Sequence, residues 1–143
     1  MVMNFKKNNV SEKIVAIFLL IILIPSVLLY WNNYLGHTSK IEEGILTVAG
    51  IEMKISDIEK IEILDNLDIE RKINGTSTYR YSSGTFIVTY NKRTFKVNMN
   101  IYNKVKKYIE VQVDGCRYIF NEKTDEDTLK LYDSIEENNH TNK

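Results

Sequence analysis

The sequence predicts an N-terminal transmembrane helix followed by a mainly β domain that ends in one C-terminal α-helix. Three observations predict it: a run without charged residues from Ile14 to Trp31, an alternation of apolar and polar residues in the middle of the chain, and a helix-capping pattern at Thr124. These patterns divide the chain into an N-terminal flank (residues 1–13), a transmembrane helix (14–34), a linker (35–43), a β domain (44–137) and a disordered tail (138–143).

The apolar run has the length and the flanks of a membrane segment. At the α-helical rise of about 1.5 Å per residue it covers about 27 Å, close to the hydrocarbon thickness of a bilayer. Pro25 is tolerated within it, because lipid offers the helix backbone no competing partner. Tyr30, Trp31 and Tyr34 collect at one end, where amphipathic rings favour the headgroup layer, so we expect these aromatic side chains to lie next to lipid. The run predicts a single-pass cell-membrane protein that contacts the lipid bilayer from Ile14 to Trp31.

Two other interpretations of the run stay open, a buried helix of a soluble protein and the apolar region of a cleaved signal peptide. Lys6, Lys7 and Lys13 precede the run, whereas Lys40 is the only basic residue within about twenty residues after it. Because positive residues stay on the cytoplasmic side of a membrane, this asymmetry slightly favours a domain outside the cell. A cytoplasmic domain stays open as the alternative.

Charge and residue counts argue against several classes of protein. Lysine plus arginine number 19 and aspartate plus glutamate number 19, so there is no basic excess and no nucleic-acid partner is expected. Cys116 is the single cysteine, which excludes an internal disulfide and a cysteine-based metal site. His37 and His140 fall outside the strand pattern, so the sequence offers no nucleophile and base in one place. We predict that the protein is not an enzyme, has no catalytic or metal-binding residues and needs no cofactor.

Two-residue turn signals set the register of two predicted hairpins, one at Ala49-Gly50 and one at Asp114-Gly115. The second register points Cys116 inward, and we expect it to be a small buried hydrophobe. Residues 85–90 and 95–101 also alternate with a period of two and form a further hairpin. The predicted pairs are Val48 with Ile51 and Leu46 with Met53 at the first turn, and Val113 with Cys116, Val111 with Tyr118 and Ile109 with Phe120 at the second.

Residues 66–75, NLDIERKING, are the least regular part of the β domain, and they contain the strong turn signal Asn74-Gly75. This segment is predicted to be a long loop. Because binding residues are common on loops, we take four of its residues as the candidate partner-contact site: Arg71, Lys72, Asn74 and Gly75.

The last pattern is helical. Thr124 can cap the helix, and the acidic residues that follow it lie near the positive end of the helix dipole. Leu129, Tyr132 and Ile135 recur at a spacing of three residues, which predicts an apolar stripe that packs on the sheet.

Five short motifs mark the breaks in this pattern. They are Gly-x-x-x-x-Ala-Gly at residues 44–50, Ser56-Asp57-Ile58, Asn74-Gly75, Ser83-Gly84-Thr85-Phe86 and Thr128-Leu129-x-Leu131-Tyr132. With these motifs and its order of elements, the chain resembles the bacterial pleckstrin-homology-like (PH-like) domains over residues 44–137. The resemblance implies an antiparallel half-open barrel of seven or eight strands with one C-terminal α-helix. An unrelated small β-sandwich stays open.

The resemblance also sets the functional expectations. Pleckstrin-homology domains that bind inositol phosphates use basic residues on the first hairpin loop, where this chain has Ala49-Gly50, so such headgroup recognition is not expected. The resemblance implies a membrane-anchored, non-catalytic binding module for an unknown protein or peptide. Small relatives of this kind include proteins that protect a producer cell from its own bacteriocin, which makes bacteriocin immunity the specific expectation. The alternatives are a general peptide- or lipid-binding membrane protein and a membrane-surface enzyme.

Overall fold

The computed structural model describes residues 9–35 and 39–141, with side chains described for residues 14–28 and 39–141. The chain divides into two compact units, Met1–Leu35 and Gly36–Lys143. In the first unit, helix α1 spans Asn9–Leu35 and contains Pro25. It begins inside the segment predicted as a flank.

The prediction that this helix crosses a membrane is wrong. Among the described residues, no helix is both long enough and apolar enough to span a bilayer. The predicted single-pass topology, cell-membrane location and side of the membrane are corrected with it. The predicted contact of Ile14 to Trp31 with a lipid bilayer stays a prediction. The side chains of Tyr30, Trp31 and Tyr34 lie outside the described residues.

The second unit is mainly β. Its described residues form nine strands, a short 3₁₀ turn and one α-helix. The strands are β1 (Lys40–Glu42), β2 (Ile45–Val48), β3 (Ile51–Lys54), β4 (Ile58–Asp65), β5 (Asp68–Ser77), β6 (Tyr81–Tyr90), β7 (Arg93–Tyr102), β8 (Lys107–Val113) and β9 (Cys116–Phe120); the 3₁₀ turn is Ile55–Asp57 and the helix is α2 (Asp125–Thr141). Strand β1 thus lies in the predicted linker, and α2 continues into the predicted disordered tail.

Both predicted two-residue turns are confirmed. Ala49 and Gly50 have φ angles of 50° and 81°, and Asp114 and Gly115 have φ angles of 49° and 72°. These positive values are the ones that a type I′ hairpin turn needs. All five predicted residue pairs across the two turns are observed. The inward placement of Cys116 is wrong, however, because β9 becomes buried only near its C-terminal end and leaves the hairpin tip in solvent.

The strands form two sheets and not one antiparallel barrel. A three-stranded sheet has the order β1-β2-β3, and a six-stranded sheet has the order β4-β8-β9-β7-β6-β5. Strand β9 lies between β8 and β7, antiparallel to β8 and parallel to β7. The prediction of an antiparallel half-open barrel of seven or eight strands is therefore wrong. The alternation of apolar residues shows which face of a strand is buried, but it does not show which strands are neighbours.

The six-stranded sheet curls around its own core. Strands β4 and β5 lie at its opposite edges, yet only Asn66 and Leu67 separate them in the chain. The sheet must bend to bring those ends together. Its inner face carries a first group of buried side chains, called here the inner core: Leu64, Leu67, Phe86, Val88, Val97, Met99, Ile101, Tyr108 and Ile119.

The opposite face of the curled sheet is covered by the three-stranded sheet and α2. The side chains packed there form the outer core: Leu46, Val48, Met53, Ile55, Ile58, Ile109, Val111, Phe120 and Ile135. Strands β8 and β9 contribute to both cores, because alternate residues of a strand point to opposite faces. Ile109 and Phe120 lie in the outer core, for example, whereas Tyr108 and Ile119 lie in the inner core.

Helix α2 begins as the sequence predicts. The backbone N–H of Asp127 donates a hydrogen bond to Oγ1 of Thr124 at 3.0 Å, which satisfies one N–H of the first turn. The predicted apolar stripe is only partly correct. Ile135 is fully buried and Tyr132 packs against the outer core, but Leu129 is exposed and Thr128 is buried in its place.

The titration of the Glu110 carboxyl on β8 provides a test of how the six-stranded sheet is packed. Burial raises the pKa of the Glu110 carboxyl above its ordinary value of 4.5; Arg117 and Lys60 offset part of that rise, and Glu62 adds to it. Arg117 Nε lies 3.4 Å from Glu110 Oε1. Because the folded state holds this proton more tightly than the unfolded state, Glu110 contributes more stability as the pH falls through its raised pKa.

We therefore expect the unfolding free energy of the natural chain to rise relative to that of Glu110→Gln as the pH falls from neutrality. This difference in unfolding free energy should become constant below pH 4.5, the ordinary pKa of a glutamate carboxyl. Urea unfolding at a series of pH values measures it, and Glu59→Gln, an exposed position on β4, is the matched control. A difference that stays constant across this pH range would contradict the expectation.

Candidate functional site

The four residues predicted to contact a partner lie on strand β5, and the prediction that they form a loop is wrong. Strand β5 spans Asp68–Ser77 and is ten residues long. It is the last strand of the six-stranded sheet and pairs along one edge with β6. The structure therefore places Arg71, Lys72, Asn74 and Gly75 together on a sheet edge.

Two bulges explain why this strand has no period of two in the sequence. The pairing with β6 shifts between Ile69 and Arg71 and again between Lys72 and Asn74. Each shift places one extra residue, Glu70 or Ile73, on β5. An extra residue interrupts the alternation of faces, so an apolar pattern read with a fixed period fails there.

The Asn74-Gly75 pair is not a turn but the point where two backbones approach closely. Gly75 is paired with Gly84 of β6, and their φ angles are +108° and +131°. A Cβ atom on Gly75 would overlap the backbone oxygen of Ser83, and one on Gly84 would overlap the backbone oxygen of Asn74. A glycine pair within strands marks such an approach, and this is the signal that sequence reasoning missed.

Strand β5 is exposed along its whole length. All ten of its residues are exposed, including the apolar side chains of Ile69 and Ile73, at 43% and 49% of their full area. Within the described part of the chain, the outer edge of β5 faces no further strand. Its outward N–H and C=O groups are thus available to another chain.

Side-chain hydrogen bonds fix the C-terminal end of strand β5. Ser77 Oγ lies 2.9 Å from Ser82 Oγ, and the Ser82 hydroxyl donates to Asn103 Oδ1 at 2.9 Å. Asn103 Nδ2 donates in turn to the carbonyl oxygen of Thr78 at 2.6 Å. These bonds fix the strand end next to the inner core while they leave its outer edge open.

The charges on β5 are balanced. Asp68 and Glu70 carry negative charge, and Arg71 and Lys72 carry positive charge. The salt bridges found among the described residues lie elsewhere, as in Lys60 with Glu62, and none includes Arg71 or Lys72. Both cationic side chains can therefore contact a partner without first breaking an ion pair.

The side chains that most often take part in catalysis or metal binding are dispersed in the described part of the chain. No set of three or more His, Cys, Asp or Glu side chains there is arranged to hold a metal ion. Cys116 is exposed at the β8-β9 hairpin. Strands β7 and β6 lie between β9 and β5 in the sheet, so Cys116 is not next to β5.

Comparisons with known proteins give no assignment: no protein-family model, no curated protein and no solved structure matches this chain. The resemblance to PH-like domains stays a prediction.

Proposed function

We propose that the β domain is a non-catalytic binding module that holds an extended peptide segment of a partner protein alongside strand β5. The observation that supports this most directly is the exposed outer edge of β5, ten residues long at the end of a six-stranded sheet. A peptide in extended conformation can add to such an edge as a further strand, and its main-chain hydrogen bonds then supply affinity.

The two halves of β5 would serve different purposes in this complex. Bulges and charges discourage regular pairing at an edge, and both occur in the first half of β5, around Arg71 and Lys72. From Asn74 to Ser77 the register with β6 is unbroken and no side chain is charged. The added strand therefore pairs alongside the second half.

The first half supplies side-chain contacts. Ile69 and Ile73 offer apolar surface. The cations of Arg71 and Lys72 form no salt bridge within the described part of the chain, and they select acidic groups at the matching positions of the peptide. The bacteriocin-immunity role implied by the resemblance is one biological setting for such a module, and it stays a prediction.

The test uses peptides selected on the full chain from a displayed random library. We expect the double variant Arg71→Ala/Lys72→Ala to bind the selected peptides about tenfold more weakly, because it loses charged contacts worth roughly 1.4 kcal/mol in total. Its stability should stay within about 0.5 kcal/mol of the natural chain, since both side chains are exposed. Calorimetric titration and thermal unfolding measure the two quantities.

The matched control is Lys92→Ala/Arg93→Ala, which removes the same two charges from the exposed tip of the β6-β7 hairpin. This control should leave peptide affinity unchanged. Hydrogen exchange on the natural chain should show that bound peptide protects the amides between Asn74 and Ser77. Equal loss of affinity in both double variants, or protection confined to other strands, would refute the proposal.

A further inference from the structure

The turn between β5 and β6 is held in one shape by hydrogen bonds. The backbone N–H of Thr78 donates to the carbonyl oxygen of Tyr81 at 2.7 Å, and the Thr78 hydroxyl accepts from the Tyr81 N–H at 3.1 Å. Asn103, in the loop between β7 and β8, adds two bonds: its backbone N–H donates to the Arg80 carbonyl oxygen at 3.0 Å, and its Nδ2 donates to the Thr78 carbonyl oxygen at 2.6 Å. The two residues at the tip of the turn, Tyr79 and Arg80, are thus presented on a backbone that is already fixed.

Tyr79 extends a large ring into solvent from this turn. Its exposed fraction is 77%, the highest among the large hydrophobic side chains of the described part of the chain. Lys104 Nζ lies 4.5 Å from the centroid of the ring, a distance at which cation–π attraction orients both groups. A tyrosine on a fixed turn loses little conformational freedom when a partner covers it, and tyrosine is enriched in binding surfaces. The turn therefore has the features of a preformed contact surface.

Positive charge dominates the part of the chain that contains this turn. Residues 71–109 include nine basic residues and no acidic residue, although the formal charge of the whole chain is zero. The nine are Arg71, Lys72, Arg80, Lys92, Arg93, Lys96, Lys104, Lys106 and Lys107. Lys107 pairs with Asp65 at 2.6 Å, but no salt bridge of the described residues includes Arg80 or Lys104, called here the turn cations. An anionic group is therefore the electrostatic complement of this turn.

The turn directly follows the half of β5 that pairs with a peptide in the function proposed above. Residues 74–77 carry no charge, and they lie in the chain between Arg71 and Lys72 on one side and the turn on the other. We propose that the bound peptide has acidic residues on both sides of an uncharged, extended centre. The centre pairs alongside residues 74–77, one acidic end meets Arg71 and Lys72, and the other meets the turn cations beside Tyr79. This inference rests on the proposed function and specifies the chemistry of its partner.

The test uses a peptide selected on the full chain from a displayed random library, and a spin label on either end of it shows which end lies at the turn. The peptide is prepared in two forms, as selected and with glutamine in place of the acidic residues at the turn end. The natural chain should bind the glutamine form about tenfold more weakly. The variant Arg80→Ala/Lys104→Ala should bind both forms alike, because the charged contact no longer exists. Bound peptide should also shift the amide resonances of Tyr79 and Arg80 in the ¹⁵N-labelled natural chain.

Lys92→Ala/Arg93→Ala is the matched control, because it lowers the charge of the chain by the same amount and should keep the difference between the two peptide forms. The inference alone is overturned if the peptide protects the amides of residues 74–77 from hydrogen exchange but carries no acidic residue at the turn end, or if Arg80→Ala/Lys104→Ala keeps the difference. Absence of that protection overturns the proposed function and this inference with it. If a short single-stranded DNA binds at Tyr79 more tightly than the peptide, the turn is a nucleic-acid site and the inference is also overturned.

Discussion

Alanine at Gly75 or at Gly84 should lower the unfolding free energy by about 3 kcal/mol. Each substitution combines two costs. The positive φ angles of +108° and +131° are unfavourable for a residue with a side chain, and the added Cβ would overlap the backbone of the opposite strand. Strands β5 and β6 would have to separate at the point where Gly75 and Gly84 are paired.

Gly50→Ala is the control for the first of these costs. Gly50 also has a positive φ angle, +81°, but a Cβ atom there would meet no atom within 4 Å. We expect this variant to lose only about 1 kcal/mol. Urea unfolding of the three variants measures the difference, and equal losses at Gly50 and Gly75 would show that the close approach of β5 to β6 does not exist.

Replacing Val97 by aspartate should cost several kcal/mol, a large share of the roughly 5–15 kcal/mol that stabilises a typical domain. Val97 is 2% exposed and lies in the inner core. Its neighbours there are apolar, as Phe86 on the paired position of β6 illustrates. A carboxylate at this position would lose much of its hydration among these apolar side chains.

Lys96→Asp is the matched control, because it introduces the same side chain at the exposed adjacent residue of β7. This control should change stability by no more than about 0.5 kcal/mol. Thermal unfolding followed by circular dichroism compares the two variants. If Val97→Asp unfolds at the same temperature as Lys96→Asp, the inner core does not enclose Val97.

The candidate site shows where sequence reasoning reaches its limit. The sequence groups Arg71, Lys72, Asn74 and Gly75, and the structure places them on one strand edge. The loop prediction for them fails because Asn74-Gly75 is a strong local turn signal. The pairing of Gly75 with Gly84 joins residues whose close approach depends on the whole sheet. A cavity of about 150 Å³ between the two sheets has no signal in the sequence either, because its walls come from β2, β3, β6, β7 and β9, which are far apart in the chain.

Local chemistry by itself determined the hairpins at Ala49-Gly50 and Asp114-Gly115 and the cap of α2 at Thr124. In each case the residues that specify the feature are within three positions of one another, so a short stretch of sequence contains the whole cause. Only the tertiary structure decided that β9 inserts beside β7 in parallel, that the strands divide into two sheets, and that Cys116 and Leu129 are exposed. These features depend on contacts between residues far apart in the chain. The periodicity of one strand or helix does not indicate which other surface packs against it.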